Sequence, residues 1–247
     1  MKLRFSILLF IGLSFSALAQ ETPMDYKNIL TEEPKNTTMD KKFLVSLSGG
    51  LGMRTGIFLD GLSSVNQDFQ RKLNFGYQGE FQANYYLKDR WGFGLIASYF
   101  GAQSSGKFEQ YSPEMNHQHG FDSKQNDMTL YIGPALTGRL FYKKYSFRYS
   151  FTAGAHMYNS ELTWTDEMGS RSTKVNGLTW SVGTNVQLGY EIMDKMELFA
   201  CSSYYFGLIN QADRTDLGGN KTHVALKNED RIDISRFSLG IGANYSF

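Results

Sequence analysis

Residues 74–88 read NFGYQGEFQANYYLK, and they divide cleanly by twos. Phe75, Tyr77, Phe81, Ala83, Tyr85 and Leu87 fall on one side, and Gln78, Glu80, Gln82 and Asn84 on the other. Side chains alternate across a strand with period two, so this stretch reads as a β-strand with one apolar and one polar face. The alternation recurs at residues 43–53, 91–101, 128–142, 145–158, 178–192, 196–207 and 236–247, giving eight strands. Pro134 lies inside the fourth. Proline lacks an amide hydrogen, so a bulge or an unpaired ladder position is expected there.

Strands in water-soluble domains most often run about five to six residues. These runs are ten residues or longer, about what a strand tilted at 45° needs to cross a bilayer. The connections alternate as well. Lys88-Asp89-Arg90, Lys143-Lys144 and Met193-Asp194-Lys195 are short and charged. The other four, at about 54–73, 102–125, 159–177 and 208–230, are long and polar. Short turns on one side and long loops on the other mark a transmembrane barrel, with the short turns periplasmic and the long loops extracellular. The polar faces hold Gly, Ser, Thr, Asn and Gln with few charges and almost no Lys, unlike a sheet surface facing water. Tyr85, Trp91, Tyr142, Tyr145, Tyr190 and Tyr245 gather near the short turns. Tyr77, Tyr99, Trp180, Tyr204 and Phe237 gather toward the long loops, as interfacial aromatics do. The expected fold is all-β: an eight-stranded antiparallel up-and-down transmembrane β-barrel over residues 43–247.

The remaining sequence agrees with export. Residues 1–19 combine Lys2 and Arg4, an apolar run from Phe5 to Phe15, and Ala17-Leu18-Ala19, the pattern of a cleaved signal peptide. Residues 20–42 are polar and aperiodic and read as a flexible periplasmic segment. Without Lys2 and Arg4 the net charge moves from +1 to −1, which gives no electrostatic reason to expect nucleic acid as a partner. The single cysteine, Cys201, excludes a disulfide framework.

These features together resemble the small outer-membrane β-barrels of Gram-negative bacteria, the group of the OmpA transmembrane domain, OmpX and OmpW. Residues 131–142, YIGPALTGRLFY, resemble the porin-family barrels common in Bacteroidota. The resemblance implies residence in the outer membrane among its lipids. It also implies assembly by the barrel assembly machinery, which in this family reads the last strand. Gly242, Tyr245 and Phe247 match that signal, while Gly240 stands where a polar residue is usual.

An eight-stranded barrel is just wide enough for side chains to fill. Glu80, Arg139, Arg148, Glu191 and Glu197 fall on the polar faces and are expected to form a charge network in the lumen, since charges away from water need partners. A narrow gated pore is the competing reading of the same residues. None of His117, His119, His156 and His223 has a serine two residues on, so the lipid A deacylase pattern is missing and no enzyme is expected. His117 and His119, with Glu109 and Glu114 nearby, could hold a metal, but two histidines at a spacing of two in a loop are a weak signal, and no metal is expected. Residues 213–220, DRTDLGGN, depart from a calcium loop and read as a turn. No cofactor is expected. Phe108, Tyr111, Phe121 and Trp164 are loop aromatics suited to touching an extracellular ligand. The expected role is surface-loop binding or envelope integrity. A narrow channel or lateral path for small apolar solutes, or an accessory barrel of a secretion system, are the alternatives.

Overall fold

The computed structural model describes residues 41–56, 64–87, 90–112, 117–166, 169–227 and 231–247. The expected signal peptide and nearly all of the expected N-terminal segment lie outside them. Among the described residues are eleven strands and one helix. They are β1 (Phe43–Arg54), α1 (Ser64–Asn74), β2 (Phe75–Tyr86), β3 (Trp91–Ser112), β4 (His117–Tyr142) and β5 (Tyr145–Asp166). There follow β6 (Gly169–Met193), β7 (Met196–Ile209), β8 (Gln211–Thr215), β9 (Lys221–Ala225), β10 (Ile232–Asp233) and β11 (Arg236–Ser246). The sequence pointed to eight strands, and eight of the eleven do form one antiparallel ring. The order is β1-β2-β3-β4-β5-β6-β7-β11, and β11 returns to β1.

The ring is sheared. Following register partners from Phe43 leads to Tyr85, Phe93, Leu136, Phe151, Thr184, Tyr204, Phe237 and then Met53. One circuit therefore ends ten residues further along β1 than it began. With eight strands, that displacement sets a tilt of roughly 40° and a backbone radius of about 8 Å. Each residue then gains about 2.5 Å of height along the barrel axis, and Phe43 to Met53 spans about 25 Å.

The two faces are inverted relative to a water-soluble protein. Outward positions carry the large apolar side chains, among them Tyr77, Ile241 and Trp180, exposed at 76%, 75% and 82%. Inward positions carry Ser46, Gln82, Asn84, Arg148, Gln187, Asn244 and other buried polar groups. After allowance for tilt, Tyr85, Trp91, Tyr145, Tyr190 and Tyr245 ring the barrel near the height of Phe43. Tyr77, Tyr99, Trp180 and Phe206 ring it near the height of Met53. Two aromatic girdles thus bound an apolar band of about 25 Å, the height of a barrel's lipid belt.

Beyond the upper girdle the structure departs from the expected loops. In the connections at 102–125 and 159–177 the described residues are ladder. β3 and β4 pair out to Ser112 opposite His117, and β5 and β6 out to Asp166 opposite Gly169. These hairpins stand roughly 25 Å above the girdle at the rise of a tilted strand. In the fourth connection, β8 continues along β6 after a one-residue slip at Asn210, and β9 folds back on β8. Residues 213–220 form the end of that hairpin, with Asp216 Oδ1 accepting the amides of Gly218 and Asn220, each at 2.9 Å. The first connection holds α1, whose Phe69 ring meets Phe108 of β3 at 5.4 Å.

Pro134 occupies an interruption rather than a bulge. The β4–β5 ladder passes from Ile132 opposite Ala155 to Ala135 opposite Thr152 with no change of register. The Thr152 hydroxyl donates to the Pro134 carbonyl at 2.7 Å and occupies an acceptor the ladder leaves open.

Candidate functional site: the filled barrel interior

Inward parity places one side chain in every two inside a ring of about 8 Å radius, so polar groups from facing strands meet. They form three tiers.

The lowest tier lies near the short turns. Arg148 of β5 and Glu197 of β7 form a buried two-pronged ion pair. Nη1 donates to Oε1, and Nη2 donates to Oε2 at 2.8 Å. The Ser146 hydroxyl and Asn244 Nδ2 also donate to this carboxylate, at 2.6 and 3.0 Å. β6 runs between the two charges, and Gly189 is its residue at that point. A Cβ there would overlap the Glu197 carboxylate, so the glycine leaves the space the pair occupies. Arg139 stacks 3.9 Å from the Tyr86 ring centroid and donates to the Lys41 carbonyl at 3.0 Å. Glu191 is half-buried, opposite Glu197 in the β6–β7 ladder.

The middle tier spans the lumen. Glu80 of β2 accepts from Asn185 Nδ2 at 2.7 Å, from the Tyr205 hydroxyl at 2.6 Å and from Gln82 Nε2 at 2.7 Å. β2 and β6 are four places apart in a ring of eight, so the Glu80–Asn185 bond crosses the full diameter. Arg236 of β11 makes a second crossing. Its Nη1 donates to Thr129 Oγ1 of β4 at 2.8 Å, again four strands away, and its Nη2 donates to Ser98 Oγ at 2.7 Å. Arg236 is fully buried and lies 4.9 Å from the Tyr205 ring centroid. Tyr131 packs on Tyr205 at 4.7 Å and on His156 at 5.6 Å. His156 Nδ1 shares a 2.9 Å hydrogen bond with Ser181 Oγ.

The upper tier centres on Arg54 and Asp127, paired at 2.6 Å. Ser160 Oγ, Gln125 Nε2 and the Tyr158 hydroxyl also donate to Asp127, at 2.7, 2.9 and 3.2 Å. Beside it Tyr158, Ile209, Ala212 and Ile234 form an apolar cluster, with Val175, Leu226 and Ile232 against it. Two crossing struts and an apolar cluster fill the interior with side chains.

Of the residues singled out from sequence, the structure brings Arg148 and Glu197 into direct contact. Glu80 joins a different tier, and Arg139 is satisfied by an aromatic ring and a backbone carbonyl. Arg54, Asp127 and Arg236 were missed, although Arg236 shares the inward parity of Ser238 and Asn244 and was readable on that ground. Gly242 lies opposite both Ser48 and Phe199, and Tyr245 opposite Val45 and Met196. The Phe247 amide donates to the Phe43 carbonyl at 2.9 Å. Phe108 lies on the β3 extension against α1. Trp164 is half-buried on β5 opposite Arg171. The side chains of Tyr111, Phe121, His117 and His119 lie outside the described residues. His223 is exposed on β9, 2.7 Å from Asp213. Among the described residues, no group of three or more His, Cys, Asp and Glu is arranged to hold a metal.

No family model and no curated protein matches the chain. Among solved structures it is similar to a major outer membrane protein of Thermus thermophilus, at 15% identity over 83% of this chain and 99% of that one, with a TM-score of 0.47. It is similar to the outer membrane protein OprG of Pseudomonas aeruginosa, at 17% identity over 84% and 97%, with a TM-score of 0.45. It is also similar to Ail, the attachment invasion locus protein of Yersinia pestis, solved with the heparin analogue sucrose octasulfate. That match has 17% identity over 83% and 99%, with a TM-score of 0.41.

Proposed function

We propose that this chain is an integral outer-membrane β-barrel without catalytic activity, whose interior is a structural core and whose hairpins above the membrane carry a surface-binding or envelope-integrity role. The observation that carries the reading is the inversion of its two faces. A band of exposed apolar side chains about 25 Å tall, bounded by aromatic girdles, matches a bilayer's hydrocarbon, and a closed ring leaves no unpaired sheet edge within it. The struts from Glu80 and Arg236 support a plugged lumen rather than a conduit. The tall β3–β4 and β5–β6 hairpins support ligand contact beyond the lipid headgroups, by a partner not yet identified. β11, with Gly242, Tyr245 and Phe247, is the strand proposed to be read by the barrel assembly machinery.

The test is expression in a Gram-negative host, followed by membrane fractionation, gel mobility with and without heating, and planar-bilayer recording. The expected result is a wash-resistant outer-membrane protein with heat-modifiable mobility and no large stable conductance. Recovery in the soluble periplasmic extract overturns the membrane reading. A reproducible open channel overturns the plugged lumen.

A further inference from the structure

The three short turns differ in charge. The β2–β3 turn is Lys88-Asp89-Arg90 and the β6–β7 turn is Met193-Asp194-Lys195, each with an acid beside its cations. The β4–β5 turn is Lys143-Lys144 alone, and both lysines are exposed. Exposed Tyr142 and Tyr145 flank it at the lower aromatic girdle, and Lys143 Nζ lies 5.5 Å from the Tyr142 ring centroid. Glu191, whose amide donates to the Lys144 carbonyl at 2.8 Å, has the inward parity of its ladder partner Glu197. Lys143 is also the only non-glycine among the described residues with a positive φ, 54°. In that left-handed region a Cβ is unfavourable, and Gly or Asn is usual. A lysine there sits against the backbone's preference, so what the turn gains is its side chain. The other rim is different. Outward strand positions level with the upper girdle carry no charge: Met53, Tyr77, Tyr99, Leu130, Trp180 and Phe206 stand there. Charged outward strand positions higher up mix their signs, with Lys107 opposite Asp122 and Lys174 paired with Glu161 at 3.1 Å.

We propose that Lys143 and Lys144 form a binding site for the headgroup phosphate of an anionic phospholipid, in the leaflet on the short-turn side. This rests on the membrane reading above. Position supplies the occupant. Groups level with an aromatic girdle lie at headgroup depth, and this turn is continuous with the apolar band that the lipid chains cover. Charge then selects among headgroups. Two adjacent ammonium groups in a turn without an acid favour a headgroup of net negative charge over a zwitterionic one, which brings its own cation. The Lys143 stem runs beside the Tyr142 ring, so its apolar part stays at the girdle while the ammonium reaches the phosphate. The β2–β3 and β6–β7 turns meet the same headgroups, but Asp89 and Asp194 offset their cations.

The test uses the full chain folded into vesicles of equal parts phosphatidylglycerol and phosphatidylcholine, with heat-modifiable mobility checked for every variant. Native mass spectrometry then counts each lipid retained after transfer to mild detergent. Phosphatidylglycerol is expected to exceed phosphatidylcholine by about fivefold or more, the effect of one lysine near an anionic surface. Lys143→Gln/Lys144→Gln should bring the ratio within about twofold of parity, and Lys144→Gln alone should give an intermediate value. Lys143→Arg/Lys144→Arg should keep the preference, because guanidinium also binds phosphate. Lys107→Gln/Lys124→Gln, which removes the same charge from the upper ladder, should leave it unchanged. A preference that survives the double glutamine variant overturns the site. An equal loss in the Lys107/Lys124 variant overturns it too, since net charge would then be the cause. Loss in the arginine variant overturns charge as the basis of selection. A heat-modifiable, membrane-embedded wild type that retains both lipids equally overturns the site and leaves the membrane reading standing. A chain that does not insert overturns both.

Discussion

Replacing Glu197 with alanine should destabilise the folded barrel by about 3–5 kcal/mol, the cost of leaving one member of a buried ion pair alone. The structure shows why the effect falls at the upper part of the range for single substitutions. Glu197 accepts from both terminal nitrogens of Arg148, from Ser146 and from Asn244, so one change strips partners from three side chains. Arg148 is then left as a buried cation two strands away with its carboxylate gone. The four bonds are not worth their separate values, because the donors form one network and respond together. The assay is urea unfolding in phospholipid vesicles, followed by tryptophan fluorescence, since Trp180 faces outward and reports its surroundings. Arg148→Met and the Arg148→Met/Glu197→Ala double variant complete a cycle. The double variant should be little worse than either single one, a coupling of about 2 kcal/mol or more. A loss below about 1 kcal/mol for Glu197→Ala, within the range of ordinary surface changes and single neutral hydrogen bonds, would refute the reasoning. So would strict additivity of the two substitutions.

Two further outcomes follow from features outside the ion pair. Ile241 lies on the outward face of β11 near mid-height, so Ile241→Arg should cost about 2–4 kcal/mol in the same vesicle assay. A change within about 0.5 kcal/mol is what a water-facing position would give. At the β8–β9 turn, the Asn220 amide, then the Asn220 side chain and the Gly218 amide, hold the Asp216 carboxyl below the usual aspartate range. A depressed folded value means the turn's extra stability is present above the unfolded pKa of about 4 and is lost as pH falls through the lower folded value. Protection of the Gly218 and Asn220 amides from hydrogen exchange should therefore be flat from pH 6 to about pH 4 and decline below it. Protection independent of pH throughout would count against the carboxylate cap.

What the sequence made legible depended on contrast between the two faces. Within the band between the girdles one face is apolar and the other is not, so Phe75, Tyr77 and Phe81 stand apart from Gln78, Glu80 and Gln82 at a glance. Beyond the girdle the outer face is polar, and the inner face, with buried Ser104, Ser123 and Ser160, is polar too, so the contrast vanishes. Gln103, Ser105 and Lys107 alternate with Ser104 and Gly106, a run that reads as loop although it is ladder. Asp127 was lost for this reason: it sits one residue before Met128, where the visible alternation began. α1 was lost to its brevity, although Phe69 and Leu73 carry the four-residue spacing of a buried helix face. The partners of Glu80 could not be read at all. Inward parity tells which side chains enter the barrel, but reach across a diameter depends on the ten-residue shear, and that emerges only when all eight ladders are counted.

The closing seam has a kinetic consequence. Six of the eight ladders join strands consecutive along the chain, and β7–β11 spans only the short β8–β10 excursion. The eighth joins Leu44 to Ser246 and cannot form until nearly everything between them has been arranged. Contacts that far apart in sequence are slow to find one another. Until they do, β1 and β11 each present a bare row of amides and carbonyls, the condition in which strands pair with the wrong neighbour. The interval before that last pairing is when this chain is most open to aggregation, and a protein that shields the two edges would speed productive folding without altering the stability of the finished barrel.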